Sequence, residues 1–217
     1  MLVGHVAAGM VGKRAAPQVS LGTLVLAAFL CDLLWGAFLL TGLEQIIIKP
    51  GRGAAHYLDA VDFSLSHGLA TTVLWAALFA SVWFLRRRDT RAALVLFALV
   101  VSHWLLDFIS HGPDMALAPG VHARVGLGLW NSIPATIVVE GGFWLIAVIL
   151  YTRATQPRTR LTAFAFWIFI GLLTLVWYNN IAGPPPASPR AAAIGSLIFF
   201  SVIVAWAYWM NASRETR

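Results

Sequence analysis

LVLFALVVSHWLLDFISHGPD, Leu94 to Asp114, opens as an apolar run and then sets His103, Asp107 and His111 at four-residue intervals. The run is long enough, taken from about 92 to 110, for a helix that crosses a hydrocarbon layer of roughly 30 Å. Five other segments read the same way, at about 21–43, 64–84, 133–151, 161–177 and 191–210. The expected fold is therefore all-α: a polytopic membrane protein of about six transmembrane helices.

Composition agrees with that reading. Hydrophobic residues make up 59% of the 217 and charged residues only 11%, where a soluble domain carries roughly a quarter charged. The net charge of +6 resembles a nucleic-acid signal, but the basic residues stand at the ends of apolar runs and not in a patch. That distribution encodes topology and excludes nucleic acid as a partner. With six alternating crossings, Lys13, Arg14, Arg86, Arg87, Arg88, Arg91, Arg153, Arg158, Arg160, Arg214 and Arg217 fall on one side. Lys49, Arg52, Arg124 and Arg190 fall on the other. Both termini are then expected in the cytoplasm. No small-residue cleavage site follows the first apolar run, so no cleaved leader is expected. The single Cys31 excludes a disulfide framework within the chain.

Ionisable residues divide the chain. The segments after about 150 carry none within them, and they read as a packing pair that also joins two copies in a homo-oligomer. The earlier segments hold Asp32, His67, His103, Asp107 and Glu140. We expect one integral membrane domain, 1–217, with site-bearing helices in 1–150 and the helix pair in 151–217. Charged groups inside a bilayer are expensive and usually face a cavity, a partner or an ion. The N-terminal MLVGHVAAGMVG is apolar but too short to cross. It is expected to dip in as a re-entrant half-helix anchored at Lys13 and Arg14, bringing His5 toward Asp32. Trp130, Trp144, Trp177, Trp206 and Trp209 are expected near span ends, where indoles favour the interface.

Residues four apart on a helix lie about 6 Å apart along its axis, so His103 and Asp107 can share one ion. His111 lies about 12 Å from His103 along the axis. It is expected to bind a second ion, contact substrate or donate a proton. Imidazole with carboxylate suits zinc first among the divalent metals. The expected ligand set is His103, Asp107, His67, Asp32 and His5, on different segments. Glu140, beside Gly141 and Gly142, and Asp62 are candidates for a general base, and His111 for the acid that protonates a leaving group. Asp59 and Asp62 also suit helix capping ahead of the second span. His56 and His122 read as solvated loop residues, and Arg86 to Arg88 as headgroup anchors.

The order Gly4-His5, Asp32, Ser66-His67, then Ser102-His103 with Asp107 resembles the inner-membrane, metal-dependent hydrolases known as LexA-binding, inner-membrane-associated hydrolases. The resemblance covers roughly residues 4–120. It implies a helical, membrane-embedded fold in the bacterial inner (plasma) membrane and a divalent metal. Two departures stand out. Cys31-Asp32-Leu33-Leu34 replaces a Pro-Asp-x-Asp motif, and Asp62 stands where a His-Arg-Gly motif has its histidine. Within that resemblance the chain looks like a bacterial subgroup with SHWxLD, His-x-Pro-Asp at His111–Asp114 and GLGLWNS at Gly126–Ser132.

The function expected on these grounds is hydrolysis of a lipid-like ester or phosphoester by a metal-activated water, with substrate arriving from the surrounding membrane lipids. The alternatives are a small permease or ion transporter, haem ligation by His67 and His103, and a non-catalytic membrane protein with a polar intramembrane site.

Overall fold

The apolar run at Leu94 forms the body of α6 (Thr90–Ser110). Asp89 starts this helix by accepting the Ala92 N–H at 3.0 Å, a side-chain cap for an otherwise unpaired donor. Before it comes α5 (Leu69–Arg87), and the tight link between the two turns through Arg88 at φ 54°. The computed structural model describes residues 1–48 and 58–216, with the side chains of 58–61 excepted. The readings for Lys49, Arg52, His56, Arg217 and the Asp59 side chain lie outside these described residues.

The remaining helices, in chain order, are α1 (Leu2–Ala15), α2 (Leu21–Ala28), α3 (Leu30–Thr41), the single turn α4 (Ser64–His67), α7 (Ile133–Ala154), α8 (Arg160–Ala182) and α9 (Pro189–Ser213). Five helices, α5 to α9, are long and apolar enough to cross a membrane, and α2 with α3 makes a sixth span if the bent pair counts as one. Their outer faces carry large apolar side chains in the open: Leu161 is 74% exposed, Val138 72% and Leu74 67%. Apolar surface on this scale is not stable in water and suits lipid.

Short β-ladders join the helix ends. Strand β1 (Gln45–Ile48) pairs antiparallel with β2 (Leu58–Asp62), with Gln45 opposite Asp62. Met115–Ala116 pairs with Arg124–Val125, and Thr155–Pro157 with Arg214–Thr216.

Helix α1 is the hub. From Val3 to Met10 every residue is buried, and the helix packs on α2, α6 and α7. An apolar helix with no polar stripe belongs inside a bundle. In lipid, van der Waals fit holds helices together, so small residues mark close approaches. A Cβ on Gly9 would fall 2.9 Å from Val25 of α2, and one on Gly22 would fall 2.2 Å from the ring of Tyr208 on α9. Lys13 turns inward instead of anchoring to headgroups. Its Nζ donates to the Val19 carbonyl at 2.7 Å and to Asn211 Oδ1 at 2.9 Å, tying α1 to α9.

One reading of the spans changes in the folded chain. The first span is not one helix: it bends by 55° at Phe29. No proline or glycine lies there. The Ala28 carbonyl instead accepts a hydrogen bond from His103 Nδ1 at 2.7 Å, and a side chain inserted into the helix ladder is a recognised cause of a sharp bend. Trp144 and Trp177 are core residues, 4% and 6% exposed, packed among the helices. Of the glycine pair in α7, Gly141 receives the Trp177 ring, while Gly142 has open space beside it.

Candidate metal centre

Helix α6 supplies the floor of the site. His103 is fully buried and Asp107 is 3% exposed. One turn separates them, and His103 Nε2 lies 3.0 Å from Asp107 Oδ2. Three further elements converge on this pair. The bend at Phe29 starts α3 and places Asp32 in its first turn. The turn α4 ends in His67, whose Nε2 is 3.1 Å from His103 Nε2, 3.7 Å from Asp32 Oδ1 and 3.8 Å from Asp107 Oδ2. His103 Nε2 is 4.0 Å from Asp32 Oδ1. Helix α1 brings His5, whose Nε2 is 3.1 Å from Asp107 Oδ1 and whose ring stacks on His103 at 3.8 Å between centroids. The Met1 ammonium also contacts Asp107 Oδ1 and His5 Nε2.

The chemistry of these donors follows from their far sides. A backbone carbonyl only accepts, so His103 Nδ1 carries the proton that it donates to Ala28. In the neutral ring, His103 Nε2 then presents a lone pair. His67 Nδ1 is 2.8 Å from Ser66 Oγ, which leaves its Nε2 facing the cluster as well. Two imidazole lone pairs and two carboxylates pointed at one volume repel one another unless protons or a cation lie between them, and the Met1 ammonium supplies one positive charge at Asp107 Oδ1. Metal–nitrogen and metal–oxygen bonds near 2.0–2.1 Å give a tetrahedron with edges of roughly 3.3 Å. The five distances that link His67 and His103 to each other and to Asp32 and Asp107 run from 3.0 to 4.0 Å. The residues therefore fit a divalent ion in donor type and spacing, and a buried His/Asp group here could hold one. Asp32, His67 and His103 form one ligand trio; His5, His103 and Asp107 form a second that shares His103. His5 Nδ1 is buried and has no hydrogen-bond partner among the described residues.

The haem alternative fails on distance. Axial nitrogens stand on opposite sides of an iron, about 4 Å apart if each bond is near 2 Å. His67 and His103 approach to 3.1 Å with their rings edge-to-face, which leaves no room for a porphyrin plane.

A cavity of about 320 Å³ opens onto the cluster, lined by His5, Asp32, His67 and Asp107 at one end. Helix α9 contributes Ala192, Gly195, Phe199 and Phe200, and α8 contributes Val176 and Asn180. The last two helices thus wall the cavity in addition to packing the bundle. His111, at the C-cap of α6, also lines it. Its Nδ1 is 3.2 Å from Asp114 Oδ1, and its ring lies 4.6 Å from Trp130.

The other candidate bases lie elsewhere. Glu140 on α7 is 1% exposed and accepts the Gly4 N–H at 3.2 Å. It satisfies a free donor at the start of α1, where a negative charge also suits the helix dipole, and it does not line the cavity. Asp62 is exposed and accepts from Ser64 N at 3.0 Å and Ser64 Oγ at 2.7 Å. Those bonds hold its carboxyl below the ordinary aspartate value and tie it to Ser64, the first residue of α4, and it does not line the cavity. His122 is exposed in its loop, as are Arg86, Arg87 and Arg88 at the end of α5.

Glu44 is the residue that spacing does not reveal. It is 2% exposed and hydrogen-bonds to Ser66, the neighbour of His67. Burial pushes its carboxyl above the ordinary glutamate value, and the bonds from Ser66 act against that rise.

The geometry defines a helical bundle with membrane-spanning helices and a buried histidine–aspartate cluster competent for a metal. Comparison with models of protein families, with curated proteins and with solved structures finds no match.

Proposed function

We propose that the chain is a membrane-embedded, zinc-dependent hydrolase whose substrate is a lipid-like ester or phosphoester. The observation that carries this reading is the pair of ligand trios that share His103, one with Asp32 and His67 and one with His5 and Asp107, at one end of a cavity. Zinc, when bound, supplies Lewis acidity and brings the pKa of a water near 7. His67 and His103 present Nε2, Asp32 and Asp107 present carboxylate oxygens, and His5 braces Asp107 from its other oxygen. His111 stands along the same cavity with Asp114 behind it, in position to donate a proton to a leaving group. Phe199, Phe200 and Val176 offer an apolar wall for a hydrocarbon chain. The resemblance to inner-membrane metal-dependent hydrolases supports the same reading. So does the charge asymmetry, which favours an inner-membrane location with both termini in the cytoplasm.

Elemental analysis of the purified protein tests the proposal. We expect about one zinc per chain, with the metal lost in His103→Ala and in Asp107→Ala. An intact protein that takes up no zinc, manganese or iron would overturn it. With metal shown, hydrolysis of fluorogenic acyl and phosphoryl esters of graded chain length then identifies the substrate class.

A further inference from the structure

Glu44 follows α3 and precedes β1. The β1–β2 register sets Gln45 opposite Asp62 and so carries Glu44 to the start of α4. Its Oε1 accepts the Ser66 backbone N–H at 2.7 Å, and its Oε2 accepts the Ser66 hydroxyl at 2.7 Å. The same hydroxyl oxygen is 2.8 Å from His67 Nδ1.

Proton direction along this chain is determined by its first member. An ionised carboxylate has no proton to give, so with Glu44 ionised the Ser66 O–H points at it. Its oxygen then offers His67 only a lone pair. Nδ1 must carry the ring proton, and Nε2 is left bare on the side of His103, 3.1 Å away. We propose that Glu44 is a positioning residue: through Ser66 it fixes His67 in the tautomer whose Nε2 lone pair faces the cluster. Partners behind a ligating histidine orient the ring and select its tautomer. His103 obtains the same result from the Ala28 carbonyl, so the two rings are set by two unrelated devices. The proposal rests on the metal reading given above.

Glu44→Gln is nearly isosteric and reverses the relay. The amide oxygen keeps the Ser66 N–H at the Oε1 position, 3.0 Å from Ser66 Oγ, and the amide N–H takes the place of the nearer acceptor, 2.7 Å from Ser66 Oγ. The hydroxyl then turns its proton toward His67 Nδ1 and moves the ring proton to Nε2, where it blocks the metal. The experiment measures zinc affinity of the full chain in detergent by chelator competition, for wild type, Glu44→Gln, Ser66→Ala and the double variant. We expect Glu44→Gln to bind zinc about 10- to 100-fold more weakly. The double variant should bind no more weakly than Ser66→Ala alone, because the relay has no second link. Wild-type affinity in Glu44→Gln, or losses that multiply in the double variant, overturn the proposal. A second readout needs no metal. The nitrogen-15 shifts of the His67 ring should report protonated Nδ1 in wild type and protonated Nε2 in Glu44→Gln. Protonated Nε2 in metal-free wild type overturns the relay. Absence of zinc binding with protonated Nδ1 would overturn the metal reading and leave the relay standing.

Discussion

One stretch of sequence carries two imidazole–carboxylate pairs, and the fold treats them differently. His103 and Asp107 lie inside α6, fully or almost fully buried, with Asp32, His67 and His5 delivered from three other helices. His111 and Asp114 lie just past the helix end, partly exposed, and bond chiefly to each other at 3.2 Å. The first pair is completed by residues distant in sequence and cannot relax toward water. The second is local and lines the cavity. Residue type and spacing are nearly the same, so the difference in role comes from what the rest of the chain brings to each.

The largest effect that separates the pairs is metal retention. His103→Ala should weaken zinc binding by two or more orders of magnitude, and His111→Ala should leave it near wild type. Equilibrium dialysis with zinc checks both, and equal losses would erase the distinction. His111→Ala should instead lower turnover on the best ester substrate by about 10²–10⁴ with metal content unchanged. Acid should distinguish the pairs as well. Ligands bind metal only when deprotonated, so zinc affinity falls as pH falls. A titration at successive pH values should show proton release on binding in wild type and in His111→Ala alike.

A smaller effect tests how the buried pair is assembled. Gly9→Leu forces α1 away from Val25 and should lower stability by about 1–3 kcal/mol, with a matching loss of zinc because His5 rides on α1. Thermal unfolding followed by size-exclusion in detergent reads the first part. The smallest expected effect is at Asp62. Asp62→Asn should leave zinc affinity unchanged and shift stability by at most about 0.5 kcal/mol. The Ser64 bonds lower the carboxyl's pKa in the fold. Their contribution is therefore present above the ordinary carboxylate range and fades as pH falls through the lowered value. The stability difference between wild type and Asp62→Asn should shrink in that acid window.

Much of the architecture is legible from hydropathy, because lipid demands long apolar helices whatever their partners. The spans appear close to where the apolar runs put them. The α6 pair is legible because both members share one helix, and helix spacing is local. Membership of His5, His67 and Asp32 in the same cluster could be suspected from the cost of charge in a bilayer, which makes such groups seek each other. The bend at Phe29 is not legible, since no residue there breaks a helix; the cause, His103, is 75 positions away. Glu44 escapes for a similar reason. It stands outside the apolar runs, and its link to Ser66 depends on a β-register that no hydropathy pattern encodes. Asp62 sits two residues before Ser64, where a cap and a base look the same in sequence. The apolar helix α9 gives no hint that it walls a cavity, because walls and packing surfaces use the same side chains.

The bond between His103 and the Ala28 carbonyl also imposes an order on biogenesis. Spans enter a membrane in sequence, and an isolated helix satisfies its own backbone. Residues 21–41 can insert straight, because nothing nearby in the chain opens their ladder. The histidine that bends them arrives only with the third span. Asp32 is therefore expected to reach its final position only after α6 has docked, and a nascent chain halted before that point should carry a straight first span and no assembled cluster.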